Sequence, residues 1–437
     1  MPGKALDEVR SGPGTHSGAF ALLMNSIERT ILYCFPIVLM IVEAVILGAG
    51  WPGAWTFIPG PFSNFHFSFA GIAITVVTLR RREVRPLLLL GLLFEALRFM
   101  LFAWRHVDLI NFLTTFGLGF WHASLVLPGL EFLRMRGPER MVALDRAVIR
   151  FSLPMFYPLS QFFLQMTSRY LHQTYDVFLY AFDGLLPIPA ASIMGDLCAA
   201  HPPLRRALAF VYDGLEVAAI LVVCLERLRD GDVRGGLITR WLLAGSLGYL
   251  IYFVMPGVGP HAAFDSVYGG KLPNPSEMDL SLLTYLDDLP RNALPSLHTA
   301  WVLLIAIAAW RMGPLIRVAG VAFAIAMLAA TLGLREHYLI DLVVAVPFTV
   351  AVHGLASLSG SGANSRRHVL AIVGGAAMTI GWLLVIRYGT DPLRSAPWAA
   401  SLLVLTTIAT SAFLFLGIDD RSRQAKISAI APVPSLS

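Results

Sequence analysis

Charge is what this chain has little of. Only 14% of its 437 residues are Asp, Glu, Lys or Arg, against 56% hydrophobic, which excludes an ordinary soluble domain of this size. Cysteine is equally sparse. Cys34 and Cys224 lie in apolar runs and Cys198 in a loop, so neither a disulfide framework nor a CxxC metal pattern is present. There is no HExxH and no third histidine at helical spacing, which makes zinc the weaker reading of the histidines; no metal and no cofactor is expected. Nor is there a basic stripe. The formal charge is +5, with arginines gathered in short joints between apolar runs, so nucleic-acid binding is not indicated. The first 28 residues lack an apolar core and read as a polar tail rather than a cleaved signal.

What the chain does have is apolar runs. They fall near residues 30–50, 65–79, 86–104, 109–133, 147–168, 205–226, 237–256, 297–311, 315–333, 337–356, 369–387 and 398–417. These predict an all-α, polytopic helical bundle in a membrane, with about twelve spans. The expected organisation is a cytoplasmic tail (1–28), four spans (29–146), a catalytic core (147–356), two further spans (357–417) and a second cytoplasmic tail (418–437). Arginine-rich joints near residues 80–85, 134–146 and 227–240 place that face in the cytoplasm. The opposite face holds Lys271, Arg291 and Arg335 and would open to the exterior, periplasm or lumen. Residues 170–204 carry Asp176 and Asp183 and are expected to be re-entrant or interfacial rather than spanning. In the first four spans Glu95 and Arg98, three apart, are expected to pair; Glu43, His106 and His122 are polar there without a motif.

The chemistry concentrates between Arg291 and Asp341. The stretch reads RNALPSLHTAW, then two apolar runs joined at Gly313–Pro314, then LREHYLIDL. Ionisable groups at the edges of apolar runs are functional by default, because burying a charge there costs about 3 kcal/mol. His298 opens one run and the next returns, so His337 comes back to the membrane face that His298 left. Asp341 follows His337 by four residues, on one face if the segment is helical, within reach of a hydrogen bond that would fix the imidazole tautomer. One histidine then acts as nucleophile or base, and the other protonates a leaving oxygen. The bland alternative is helix capping at the interface, which Ser296 suits.

LPSLHTAW and HYLID resemble the PSxH and HYxxD motifs of the type 2 phosphatidic acid phosphatase superfamily. The likeness is closer to its branch containing inositol-phosphorylceramide synthase and the sphingomyelin synthases. YFVMPGVGP at Tyr252 to Pro260, and YDVFLYAFDGLLP at Tyr175 to Pro187, resemble further stretches of that branch. The resemblance spans about residues 150–356. It implies that His337 attacks phosphorus to form a phosphohistidine, that Asp341 orients it and that His298 protonates the departing group.

The chain also departs from the superfamily's phosphatases. It lacks their KxxxxxxRP motif and has Thr331 where they carry an arginine six residues before the nucleophile. Phosphate-binding residues must be others, and Arg291, Arg335 and Ser296 are the nearest. Weaker substrate-binding candidates are Asp176, Asp183, Tyr252, His261 and Lys271. For the two aspartates a solvated or capping role competes. The loop from Val258 to Leu294 is long enough to be a lid. A lipid phosphotransferase moving an inositol-phosphate-like headgroup is thus expected, with a membrane lipid as substrate. A lipid phosphate phosphatase at the same site, and a non-catalytic transporter or scaffold, are the alternatives.

Overall fold

The computed structural model describes residues 26–48, 60–104, 110, 113, 115–230, 236–268, 273–284, 288–358 and 365–430. Lys271 and His106 lie outside the described residues. The protein is an all-helical polytopic membrane protein. Its helices are α1 (Ser26–Gly48), α2 (Gly60–Thr78), α3 (Val84–Trp104), α4 (Leu118–Arg134), α5 (Pro138–Tyr170), α6 (Asp176–Asp183), α7 (Ala190–Ala200), α8 (Pro202–Asp213) and α9 (Leu215–Asp230). There follow α10 (Leu237–Val254), α11 (Pro260–Tyr268), α12 (Leu297–Trp310), α13 (Pro314–Gly333), α14 (Leu339–Ser357), α15 (Ser365–Leu384), α16 (Thr390–Leu393) and α17 (Pro397–Ile430). Among the described residues the strands are one two-residue pair, Gln173–Thr174 antiparallel to Leu283–Thr284.

Among the described residues the expected twelve spans are not confirmed. Among the described residues five helical stretches are long and apolar enough to cross: Leu237–Val254, Pro314–Gly333, Leu339–Ser357, Arg366–Leu393 and Pro397–Ile418. A sixth arises if α8 and α9 are one span, bent by 48° at the break around Gly214. Two reasons for the difference are visible. The run at 297–311 is a helix of 14 residues, short of the roughly 20 that a perpendicular crossing needs. The run at 147–168 sits in a 33-residue helix that also carries Asp145, Arg146 and Arg150, all buried.

The chain divides into two compact units. The first comprises residues 1–158 and 223–234. Its interior is polar and paired: Arg150 donates to Glu83 (2.8 Å), to Thr78 Oγ1 (2.8 Å) and to the Ser124 carbonyl (2.6 Å). Arg146 bonds both Glu83 and Glu131. Glu95 and Arg98 pair at 2.7 Å as their spacing foretold, and the other Glu95 oxygen accepts the Gly117 and Gly119 N–H groups. Buried ions are tolerable only when paired, and each guanidinium of this network meets a carboxylate, although Arg146 Nε has no hydrogen-bond partner among the described residues.

The second unit comprises residues 159–222 and 235–437. Helix α14 is its centre, with 78% of its span window buried, whereas the Pro397–Ile418 stretch of α17 is 22% buried. Large apolar side chains such as Leu315, Val318, Leu405 and Phe413 face outward, as lipid-facing positions do. Tyr175, Leu179, Phe182, Phe264, Tyr338 and Trp382 belong to one core cluster that joins α6, α11, α14 and α15. The strand pair holds the long loop to the segment after α5, and Tyr180 Oη donates to the Pro273 carbonyl at 2.8 Å. The described parts of the loop are therefore tied to the core.

Candidate active site

Main-chain hydrogen bonds lace the two histidine motifs together. Ser296 N–H donates to the Asp341 carbonyl at 3.2 Å, and Ala293 N–H donates to the Gly257 carbonyl at 2.9 Å. Ser296 is the N-cap of α12: its Oγ accepts the Thr299 N–H at 3.2 Å and the Thr299 hydroxyl at 3.0 Å. Capping by serine is the usual local solution to an unpaired first turn. Its consequence here is that His298 sits in the first turn of α12, at the edge of the apolar run, as the motif predicts.

His337 lies in the turn between α13 and α14 and is 2% exposed. Its backbone N–H and that of Glu336 both donate to the Thr331 carbonyl, at 3.3 and 3.1 Å. Thr331 itself is buried, its hydroxyl donating to Leu328 O at 2.8 Å. The position where the superfamily's phosphatases carry a cation thus holds a neutral, inward-turned side chain. The imidazole is 5.9 Å from that of His298, centroid to centroid. A phosphoryl group bound against one ring is within reach of the other.

The expected His337–Asp341 hydrogen bond is replaced by another. His337 Nδ1–H donates to the Ala293 carbonyl at 2.9 Å, while Asp341 Oδ2 stands 3.4 Å from Nδ1 and accepts the Tyr338 N–H at 2.8 Å. One N–H cannot serve two acceptors equally well, and the nearer carbonyl takes it. The proton is thereby fixed on Nδ1, and Nε2, buried and without a hydrogen-bond partner, keeps its lone pair. Burial lowers the His337 pKa from the ordinary 6.5 to about 4, against the opposing pull of Glu336 and the Ala293 carbonyl.

Asp176 and Asp183 do not face water. Asp176 is fully buried and accepts the Val258 N–H (3.1 Å), the Gly259 N–H (3.0 Å) and the Tyr338 hydroxyl (2.8 Å). Asp183 accepts the N–H groups of Leu339 (2.6 Å) and Ile340 (2.9 Å) and so caps α14 from another element. Of the substrate-binding and the solvated-or-capping readings, the hydrogen bonds are those of caps, and neither carboxylate faces water. Burial raises both carboxyl pKa values, that of Asp183 to about 8, with the backbone donors working against the rise.

The remaining candidates are dispersed. Arg291 is completely buried: its Nε donates to the Leu171 carbonyl at 3.0 Å, its Nη1 to the Leu289 carbonyl, and its backbone N–H to Thr167 Oγ1 at 2.9 Å. Those bonds make it a clasp for the loop. Arg335 pairs with Asp196 at 2.9 Å, and its carbonyl accepts the N–H of His261, whose side chain is exposed. Tyr252 is buried on α10, 6.0 Å from Tyr249. Two contributors were missed. Tyr212 stacks on His298 at 4.0 Å and 19°, and no signal in its own helix foretells that. The Ala293 carbonyl belongs to the main chain and carries no residue signature.

Gly259 is glycine for a geometric reason. It has φ of +88°, and a Cβ there would stand 2.2 Å from the Glu336 carbonyl oxygen. Gly259→Ala is expected to destabilise the fold by on the order of 2 kcal/mol or more. Thermal unfolding in detergent would show it, and an unchanged midpoint would refute this account of the contact.

Residues 177–355 match the PAP2 superfamily. The matched segment runs from α6 through the two histidine motifs to the end of α14, so it holds His298, His337 and Asp341. The PAP2 match supports a lipid enzyme of phosphatase or phosphotransferase type in a membrane protein. Comparisons with curated proteins and with solved structures give no match.

Proposed function

We propose that the chain is a membrane phosphotransferase that moves a phosphorylated headgroup from a lipid donor to an alcohol through a phosphohistidine. The observation that carries this reading is His337, whose Nδ1–H is held by a carbonyl while Nε2 is left buried and unpaired, 5.9 Å from the ring of His298. The lone pair of Nε2 attacks phosphorus, the P–O bond to the leaving alcohol breaks, and His298 gives that oxygen its proton. A second hydroxyl, deprotonated by His298, then attacks phosphorus and releases His337. Asp341, 3.4 Å from Nδ1, stabilises the positive charge that develops on the ring. If the second hydroxyl is water, the same steps make a phosphatase.

Transfer is favoured because the nucleophile is buried, which limits competition from water, and because Thr331 stands in place of the phosphatase arginine. The site opens to the extracytoplasmic face on the distribution of arginines in the joints. Headgroup transfer and phosphate release are measured in parallel on purified protein with labelled lipid donors and candidate alcohols. Product carrying the alcohol supports the transferase; free phosphate alone makes the enzyme a phosphatase.

The pH dependence follows from His337. Only the neutral imidazole is a nucleophile, and its pKa is lowered to about 4. Protonation of His337 is therefore expected to take away kcat/KM, which reports free enzyme, only below about 4, by roughly tenfold per unit. An acid limb at the ordinary histidine value of 6.5 would contradict the buried, carbonyl-held geometry.

A further inference from the structure

Beside the histidine turn lies a half-open pocket of about 270 Å³ whose lining includes Arg205, Arg335, His261, Asp196 and Cys198. Its lining carries two guanidinium groups, an imidazole and one carboxylate. Arg205 is exposed on α8, and its side chain has no hydrogen-bond or ion-pair partner among the described residues. Arg335 pairs with Asp196, which is 75% exposed and so stands at the rim.

Two backbone features keep Arg335 there. Its φ of 60° is the one positive value among the described non-glycine residues, a conformation that glycine adopts at far less cost. It is held by Arg335 N–H donating to Leu332 O at 3.0 Å and by the His261 N–H donating to Arg335 O at 2.9 Å. On the facing helix residue 195 is glycine, and a Cβ there would stand 2.4 Å from Arg335 Nε. An arginine in a conformation that favours glycine, laid across a glycine that makes room for it, points to a use for the side chain.

We propose that this pocket binds a phosphorylated polyol headgroup, with Arg205 and Arg335 holding its phosphate oxygens and Asp196 accepting its hydroxyls. Guanidinium forks match phosphate oxygens, and a phosphomonoester carries about −1.5 to −2 charge at neutral pH, opposite to the net +1 of the two arginines and Asp196. The volume suits a small polar headgroup and not acyl chains. The link to catalysis rests on the phosphotransferase reading; the binding itself does not.

The test is calorimetric titration of the full-length protein in detergent with glycerol 3-phosphate, inorganic phosphate and glycerol. Glycerol 3-phosphate is expected to bind, with affinity about tenfold weaker in Arg205→Ala and only partly restored in Arg205→Lys, which keeps the charge without the fork. Gly195→Ala should weaken it similarly without changing any charge, and His337→Ala should leave it unaltered. Equal affinity for inorganic phosphate, unmoved by Asp196→Asn, would overturn the polyol assignment. Binding that survives Arg205→Ala and Gly195→Ala but is lost in His337→Ala would overturn the pocket altogether. Activity surviving in His337→Ala would sink the catalytic reading instead and leave the pocket standing.

Discussion

Replacing His337 by alanine is expected to lower headgroup transfer and phosphate release together by about 10⁴-fold or more, since no other side chain takes its place as nucleophile. The fold should survive. The histidine's main-chain bonds to Thr331 remain, and only the bond to the Ala293 carbonyl is lost. Asp341→Asn is expected to cost much less, about 10- to 100-fold, because the tautomer is held by Ala293 and not by the carboxylate. Rates for the two variants, with trapping of labelled phosphoenzyme in His298→Ala, separate the roles. A loss in Asp341→Asn as deep as in His337→Ala would mean that the carboxylate, and not the carbonyl, orients the nucleophile.

The second large effect is on stability. Asp176→Ala leaves the Val258 and Gly259 N–H groups and the Tyr338 hydroxyl buried without their acceptor. At roughly 1–3 kcal/mol for each of the three abandoned donors, a destabilisation of about 3–9 kcal/mol is expected. Tyr338→Phe removes one donor and leaves the carboxylate its two backbone partners, so it should cost only about 1–2 kcal/mol. Thermal unfolding of both variants in the same detergent checks the ratio. Equal losses would show that Asp176 acts through Tyr338 alone.

The candidate site was legible in the sequence where it depended on side chains in motifs. LPSLHTAW and HYLID place His298, His337 and Asp341 on neighbouring elements, and the structure brings the two rings to 5.9 Å. What holds them was not legible, because a backbone carbonyl such as that of Ala293 has no residue code. Tyr212 stacks on His298 across elements 86 residues apart, a relation only the tertiary fold creates. Asp176 and Asp183 were visible as carboxylates in an apolar stretch, but their burial and direction were not: each turns to cap main-chain donors of a distant segment. The helical class was plain from the apolar runs. The number of crossings was not, since hydropathy does not distinguish a 14-residue helix, or one carrying Arg146 and Arg150 inward, from a full span.

The acceptor that holds His337 is a peptide oxygen, and the segment bearing it is fastened in turn by Ala293 N–H to the Gly257 carbonyl. A peptide oxygen cannot be exchanged by a point substitution. The histidine's orientation is thus insulated from drift at position 293, whereas Arg205 on its exposed helix is open to replacement. Variation among descendants of this chain should accordingly collect around the pocket and spare the turn geometry, so that new headgroup preferences can arise on an unchanged pair of imidazoles.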